Sequence, residues 1–327
     1  MKSLTMLGVC SAVLLGSFAG GVVLLAQDEP IRVDVNLVSI LASVRGKSGA
    51  LISDLKQDDF KIYEDGKEQR IKNFTRETDL PLTIGLLVDT SASQERLVDT
   101  EQRAASQFFS KVLRPKDQAF LIQFGAEAEL LQDLTNSARS LQQGLKQLRL
   151  SVPVGGLHPG PVPTMQNQAG TILYDAVYLA AHDKLAQETG RKALIVLSDG
   201  EDQGSEKKLE DAIEAAQRAN SLVYVLLIAD RPFYGRGIYT MGYTGDIAMK
   251  KLAEATGGRL IDVGNNGKKM EAAFAAIEQE LRTEYVASYT PTNAKLDGSY
   301  RKIDMDVKGD GLKAQVRKGY YAVPQTE

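Results

Sequence analysis

Apolar positions along this chain change their spacing twice. Between Ile31 and Arg76 they mostly alternate: Val33, Val35, Leu37, Val38, Ile40 and Val44 form one run, and Lys47-Ser48-Gly49 supplies a turn. Phe60, Ile62 and Tyr63 mark a second short strand closed by Glu64-Asp65-Gly66-Lys67, and Ile71 and Phe74 a third. A period of two is the signature of half-buried strands. From about Leu80 to Glu284, continuous apolar runs alternate with helical spacings. Leu82 to Val88, Ala119 to Phe124, Ala193 to Leu197 and Leu222 to Ile228 read as strands buried on both faces, and Arg259 to Val263 as a short last one. Leu97, Ala104, Ala105, Phe108 and Val112 recur at helical spacing, as do Leu141, Leu145 and Leu148. Ile172 to Ala180, Leu209 to Ala216, Ala248 to Ala255 and Met270 to Tyr285 continue the helical series. Beyond Tyr285 the strand pattern returns at Val286 to Tyr289, Arg301 to Val307 and Val316 to Tyr321.

Strand and helix in repeated alternation predict an α/β fold, a doubly wound and mostly parallel sheet flanked by helices, over residues 80–284. The β segments on either side, 30–78 and 285–324, are each too short to fold alone. They are expected to pair into one small flanking β domain, with the α/β unit inserted between them. Two Gly- and Tyr- or Pro-rich loops interrupt the pattern, Ser151 to Gly170 and Asp230 to Gly245.

The first 26 residues read differently. Lys2 is followed by an apolar run from Leu4 to Ala26, then by Gln27-Asp28-Glu29-Pro30. This is the layout of a secretory signal, with cleavage expected after Ala26, and the run is also long enough to serve as an uncleaved membrane anchor. Either outcome places the rest of the chain outside the cytoplasm, in the periplasm, at the cell surface or secreted. The membrane is a partner only if the segment stays uncleaved.

Composition narrows the chemistry. Of 327 residues, 43% are hydrophobic and 25% charged, enough for a sizeable core, and the formal net charge of -3 gives no basic excess for nucleic acid. Cys10 is the only cysteine and lies in the apolar leader, so the remainder can form neither a disulfide nor a thiolate metal site. Histidine occurs twice. His158 reads as a loop bystander and His182 as a surface or packing residue. A metal site here has to be built from oxygen, which favours Mg²⁺, with Mn²⁺ or Ca²⁺ as alternatives. No phosphate-binding glycine loop is present, which argues against a nucleotide ligand.

Open α/β sheets bind ligands beyond the carboxyl ends of their strands. Asp89, Ser91 and Ser93 follow the first such strand, Asp199 follows a later one, and Thr171 opens a helix between them. Two carboxylates and three hydroxyls make a hard-cation site with too few ligands to saturate the ion. The hydroxyls also suit helix capping, and Asp199 an Asp-Gly turn. Glu201 and Asp202 read as a solvated loop.

These segments resemble those of von Willebrand factor type A domains. Asp89-Thr90-Ser91-Ala92-Ser93 matches that family's D-x-S-x-S signature, Gly170 to Ala176 is similar to its threonine segment, and Leu197-Ser198-Asp199-Gly200 to its aspartate segment. The resemblance covers roughly residues 80–284. Asn36-Leu37-Val38, Asp59 to Gly66 and Arg317 to Tyr321 further resemble a group of exported bacterial proteins termed VWFA-related. The resemblance implies a metal-ion-dependent adhesion site (MIDAS) formed by Asp89, Ser91, Ser93, Thr171 and Asp199. It also implies a protein partner that completes the cation's shell with an Asp or Glu carboxylate, and no catalysis. Tyr234, Tyr239 and Tyr243 in the second loop are candidate partner-selecting residues. Two alternatives stand beside this expectation: a Mg²⁺-dependent hydrolase with Asp89 as nucleophile, and a structural envelope module stabilised by its metal.

Overall fold

Strands that are buried at every position can only lie in the middle of a layered sheet, and four such strands set the architecture. They are β5 (Leu82–Asp89), β6 (Gln118–Phe124), β8 (Arg191–Ser198) and β9 (Ser221–Leu227). With β7 (Ala128–Thr135) and β10 (Leu260–Asp262) they form a six-stranded sheet of order β10-β9-β8-β5-β6-β7. All pairs are parallel except β6 with β7. The computed structural model describes residues 37–76, 80–151, 170–228 and 245–323.

Helices cover both faces. Helix α1 (Val98–Val112), α2 (Ala138–Leu145) and α6 (Gly267–Leu281) bury Phe108, Phe109, Leu141, Phe274 and Ile277 against Ile84, Leu86, Val88 and Ile195. Helix α3 (Leu173–Leu179), α4 (Leu209–Arg218) and α5 (Gly245–Thr256) bury Leu173, Val177, Ala216, Met249 and Leu252 against Leu87, Phe120, Leu194 and Val196. The alternation of even and odd positions of β5 between the two cores is the strand period expressed in packing. Gly85 breaks the series because Phe120 occupies its side-chain space: a Cβ there would lie 2.4 Å from the Phe120 ring.

The expected flanking β structure forms from both ends of the chain. β1 (Val38–Arg45) pairs antiparallel with β11 (Tyr285–Tyr289) and with β13 (Lys313–Gln315), and β11 pairs with β4 (Ile71–Arg76). In a second sheet, β12 (Tyr300–Val307) pairs with β2 (Phe60–Glu64) and with β14 (Gly319–Tyr321), and β2 forms a hairpin with β3 (Lys67–Gln69). Ile40, Val44, Ile62, Tyr285, Tyr289 and Ile303 are fully buried between the two sheets. Tyr289 and Tyr320 both donate to Glu64 Oε2, at 2.7 and 2.9 Å, which satisfies a carboxylate that is otherwise out of water.

Three details differ from the sequence reading. β7 carries no alternation, since it is an edge strand whose register slips twice against β6. β3 is only three residues long. Val316 to Tyr321 is not one strand: β13 ends at Gln315, Val316 to Lys318 crosses between sheets, and β14 begins at Gly319. The crossing is held by backbone contacts, Arg317 Nη2 donating to the Ser39 carbonyl at 3.0 Å and Lys318 N–H to that of Ala255 at 3.0 Å.

Glu280, fully buried near the end of α6, joins the α/β unit to the flanking sheets. Its carboxylate accepts from Ser43 Oγ (3.1 Å), Gln315 Nε2 (2.9 Å), Arg259 Nε (2.9 Å) and Arg45 Nη2. Removing one member of a buried ionic network leaves the others desolvated and unpaired. Glu280→Ala is therefore expected to lower unfolding stability by about 3 kcal/mol, since both arginines keep some contact with water. Urea denaturation checks this, and a loss below about 1 kcal/mol would show that the network holds nothing together.

Candidate functional site

The sheet reverses direction at β5. From β5 the chain moves outward through β6 to β7, then returns across to β8 and continues outward to β9 and β10. A crevice opens at the carboxyl ends of strands on either side of such a reversal. Asp89 closes β5 and Asp199 follows β8 directly. Both are buried, at 0% and 2% relative exposure.

Two hydroxyls bridge these acids. Ser91 N–H donates to Asp89 Oδ1 at 2.9 Å, Ser91 Oγ and Ser93 Oγ share a hydrogen bond of 3.0 Å, and Ser93 Oγ donates to Asp199 Oδ2 at 2.7 Å. Behind them, Ser198 Oγ donates to Asp89 Oδ2 at 2.7 Å and accepts from Gly200 N–H at 3.0 Å. Glu201 N–H donates to Asp199 Oδ1 at 3.1 Å. Gly200 has a φ of +85° and sits against Gly245, whose carbonyl a Cβ at Gly200 would approach to 2.9 Å. Only glycine permits both the turn and the approach.

Thr171 reaches this edge through its backbone. The N–H of the next residue, Ile172, donates to the Gly125 carbonyl just past β6 (2.9 Å), and the Thr171 carbonyl accepts from Gln203 N–H past β8 (3.0 Å). Thr171 is thus clamped between the two loops that flank the crevice, at 7% exposure.

Capping does not account for the three hydroxyls. The short 3₁₀ turn after Ser91 has no side-chain cap. The first turn of α3 is capped by Ser205 Oγ, which accepts from Tyr174 and Asp175 N–H at 3.1 Å each, and by Asp202 Oδ1, which accepts from Tyr174 N–H at 3.2 Å. Asp202 is therefore a structural cap rather than part of a solvated loop.

The electrostatics are those of buried, crowded acids. Burial pushes the Asp89 carboxyl up to about 7; the Asp199 charge pushes the same way, against hydrogen bonds from Ser91 and Ser198. Glu201 is raised by burial and by Asp199. Glu101, in the first turn of α1, is held well above the carboxylate range by burial and then by Asp89 and Asp199. Among the described residues no three His, Cys, Asp or Glu side chains gather closely enough to hold a metal by themselves, so any cation here depends on hydroxyl oxygens as well. That donor set, with two acids crowded in a dry crevice, fits a hard divalent ion.

Sequence reasoning missed Ser198, Gln94 and Glu101. Glu101 was within reach, since it occupies the apolar stripe of α1 between Leu97 and Ala105, where a carboxylate needs an explanation. His182 is exposed, stacked on Tyr178 and bonded to Asp183 at 2.7 Å, as a surface residue would be. Tyr234, Tyr239, Tyr243, His158 and the leader lie outside the described residues. Among the described residues no helix is long and apolar enough to cross a membrane.

The central unit has a von Willebrand factor type A-like architecture: a largely parallel sheet between helical layers, with the three signature segments at one edge. No protein-family model matches the chain, and no curated protein matches it. Among solved structures, an aerotolerance-related membrane protein from Bacteroides fragilis is 20% identical over 61% of this chain and 98% of its own, with a TM-score of 0.44. BatB from Bacteroides thetaiotaomicron is 20% identical over 61% and 97%, with a TM-score of 0.43. Proximal thread matrix protein 1 from the mussel byssus, with a zinc-occupied MIDAS motif, is 12% identical over 67% and 49%, with a TM-score of 0.48. These are likenesses of fold.

A carboxyl that keeps its proton to about 7 when folded, but releases it near 3.8 when unfolded, makes the folded state bind more protons in between. Stability then falls as pH rises through that window. In EDTA, Asp89 alone is expected to contribute a loss of roughly 2–4 kcal/mol between pH 5 and pH 8. Glu284, pushed up to about 8 by burial, contributes in the same direction. Asp89→Asn should therefore flatten the slope without removing it. Chemical denaturation at several pH values reads the difference, and equal slopes would contradict this account of Asp89.

Proposed function

We propose that this chain is an exported, non-catalytic binding protein whose α/β unit captures an acidic group of a protein partner through a divalent cation. Asp89, Ser91, Ser93, Thr171 and Asp199 would hold the ion, Mg²⁺ first, with Mn²⁺ or Ca²⁺ as alternatives. The observation that carries this reading is the hydrogen-bonded chain from Asp89 through Ser91 N–H and the Ser91 and Ser93 hydroxyls to Asp199, at the reversal point of the sheet. It gathers hard oxygen donors around two buried acids whose mutual repulsion a cation would relieve.

The residues divide the work by type. Asp89 and Asp199 supply charge. The serine and threonine hydroxyls supply neutral donors, so the cation's charge is not exhausted and an external carboxylate remains attractive to it. When bound, the cation supplies a Lewis-acidic position for that carboxylate. Ser198 and the N–H groups of Ser91 and Glu201 fix the two acids in place. Reach and selectivity toward the partner are assigned to the loop carrying Tyr234, Tyr239 and Tyr243. The apolar leader at 1–26 accounts for export, by cleavage or as an anchor.

A hydrolase would need a base or a second acid placed to activate water, and the charged groups nearest Asp89 are Asp199 and Glu101, both themselves desolvated.

Titration calorimetry with Mg²⁺ tests the site. Asp89→Asn and Ser93→Ala are each expected to weaken Mg²⁺ by at least about 100-fold, more than loss of an outer residue costs. A pull-down from envelope extract should lose the same protein partner on addition of EDTA and with Asp89→Asn. Capture that survives both treatments would defeat the proposal.

A further inference from the structure

Among the described residues, Glu101 is a fully buried carboxyl neither of whose oxygens has a hydrogen-bond partner. Beside the serine loop, Gln94 is 1% exposed; its Nε2 donates to Ser93 Oγ at 3.3 Å, while its Oε1 is buried without a partner. Three unpartnered acceptor atoms are therefore buried near the two aspartates: Gln94 touches Ser93, and Glu101 is near enough to Asp89 and Asp199 to feel both charges. An unpaired buried carboxylate is costly, and an apolar residue would suit this position of the α1 stripe. Glu101 is not a direct third acidic ligand, because no three such side chains converge among the described residues. What satisfies these acceptors has to bring hydrogen-bond donors to them.

We propose that Glu101, with Gln94, is a positioning residue for the cation: its carboxylate oxygens and Gln94 Oε1 accept hydrogen bonds from water carried by the ion, behind Asp89 and Asp199. This rests on the cation reading above and extends it. A group at one remove from a metal orients its ligands and tunes its affinity, at a typical worth of 10- to 100-fold.

The test uses the full chain and MnCl₂ in titration calorimetry, with Glu101→Gln and Gln94→Met beside the wild type. Glu101→Gln keeps the size and removes the charge, and its Mn²⁺ affinity is expected to fall by about 10- to 100-fold. Gln94→Met should cost less, about tenfold. Melting in EDTA separates this from a structural role: Glu101→Gln should melt no lower than the wild type, because glutamine has the shape of the neutral carboxyl and leaves no hydrogen-bond partner behind. A lower melt with Mn²⁺ affinity within about twofold of wild type would overturn the proposal. Should Glu101→Gln fail to fold, Gln94→Met decides, and unchanged Mn²⁺ affinity there overturns it. A wild type that binds no Mn²⁺ overturns this and the parent reading together, whereas a binding wild type matched by Glu101→Gln overturns this one alone.

Discussion

Two like charges held together out of water, at the adjoining carboxyl ends of β5 and β8, are the constraint around which the rest of this structure is arranged. The fold creates the constraint. A parallel sheet covered on both faces spends its backbone polar groups within itself and leaves only its two ends open to charge. At the amino end that charge is paired. Arg282 meets Asp117 at 2.6 Å, Asp117 also accepts from Leu82 N–H at 3.0 Å, and Glu280 collects four donors. At the carboxyl end, hydroxyls and backbone N–H groups meet Asp89 and Asp199, and both charges bear on Glu101. The two ends of the sheet thus handle charge by different means.

This polarity explains why so much rigid detail surrounds the crevice. Ser198 grips Asp89, Gly200 and Gly245 touch backbone to backbone, and Ile172 and Gln203 tie the threonine segment to both flanking loops. Holding two repelling groups close requires that neither can swing away. The flanking sheets contribute at a distance, because through Glu280 they fix the end of α6, which packs beside α1 and so beside the helix carrying Glu101.

The parts of this arrangement that were legible in the sequence are those written in contiguous residues. The all-apolar runs of β5, β6, β8 and β9 can hardly be anything but central strands, and Asp89-Thr90-Ser91-Ala92-Ser93 and Ser198-Asp199-Gly200 follow two of them directly. What escaped was set by neighbours far away in the chain. β7 has no pattern of its own because β6 recruits it as an edge. The crossing at Val316 to Lys318 carries no glycine, proline or other turn residue to mark it, and only the pairing partners reveal the change of sheet. Thr171 has the chemistry of a cap, yet Ser205 and Asp202, about thirty residues on, do the capping. Glu101 was readable as an anomaly, though its meaning needed the positions of both aspartates.

The interleaving of strands from the two ends of the chain bears on the order in which the protein is made. Ser39 on β1 bonds to Ser288 on β11, 249 residues later. Apart from the local β2–β3 hairpin, the strands of the early flank therefore wait for partners while some two hundred residues are synthesised and folded behind them, and the cost of closing so long a loop is met only when the last strands arrive. The inserted unit supplies its own core in the meantime and brings the two ends to one side of its sheet. For this architecture, the early strands gain their partners only once β11 to β13 have been made, and until then their open edges are exposed to misassembly.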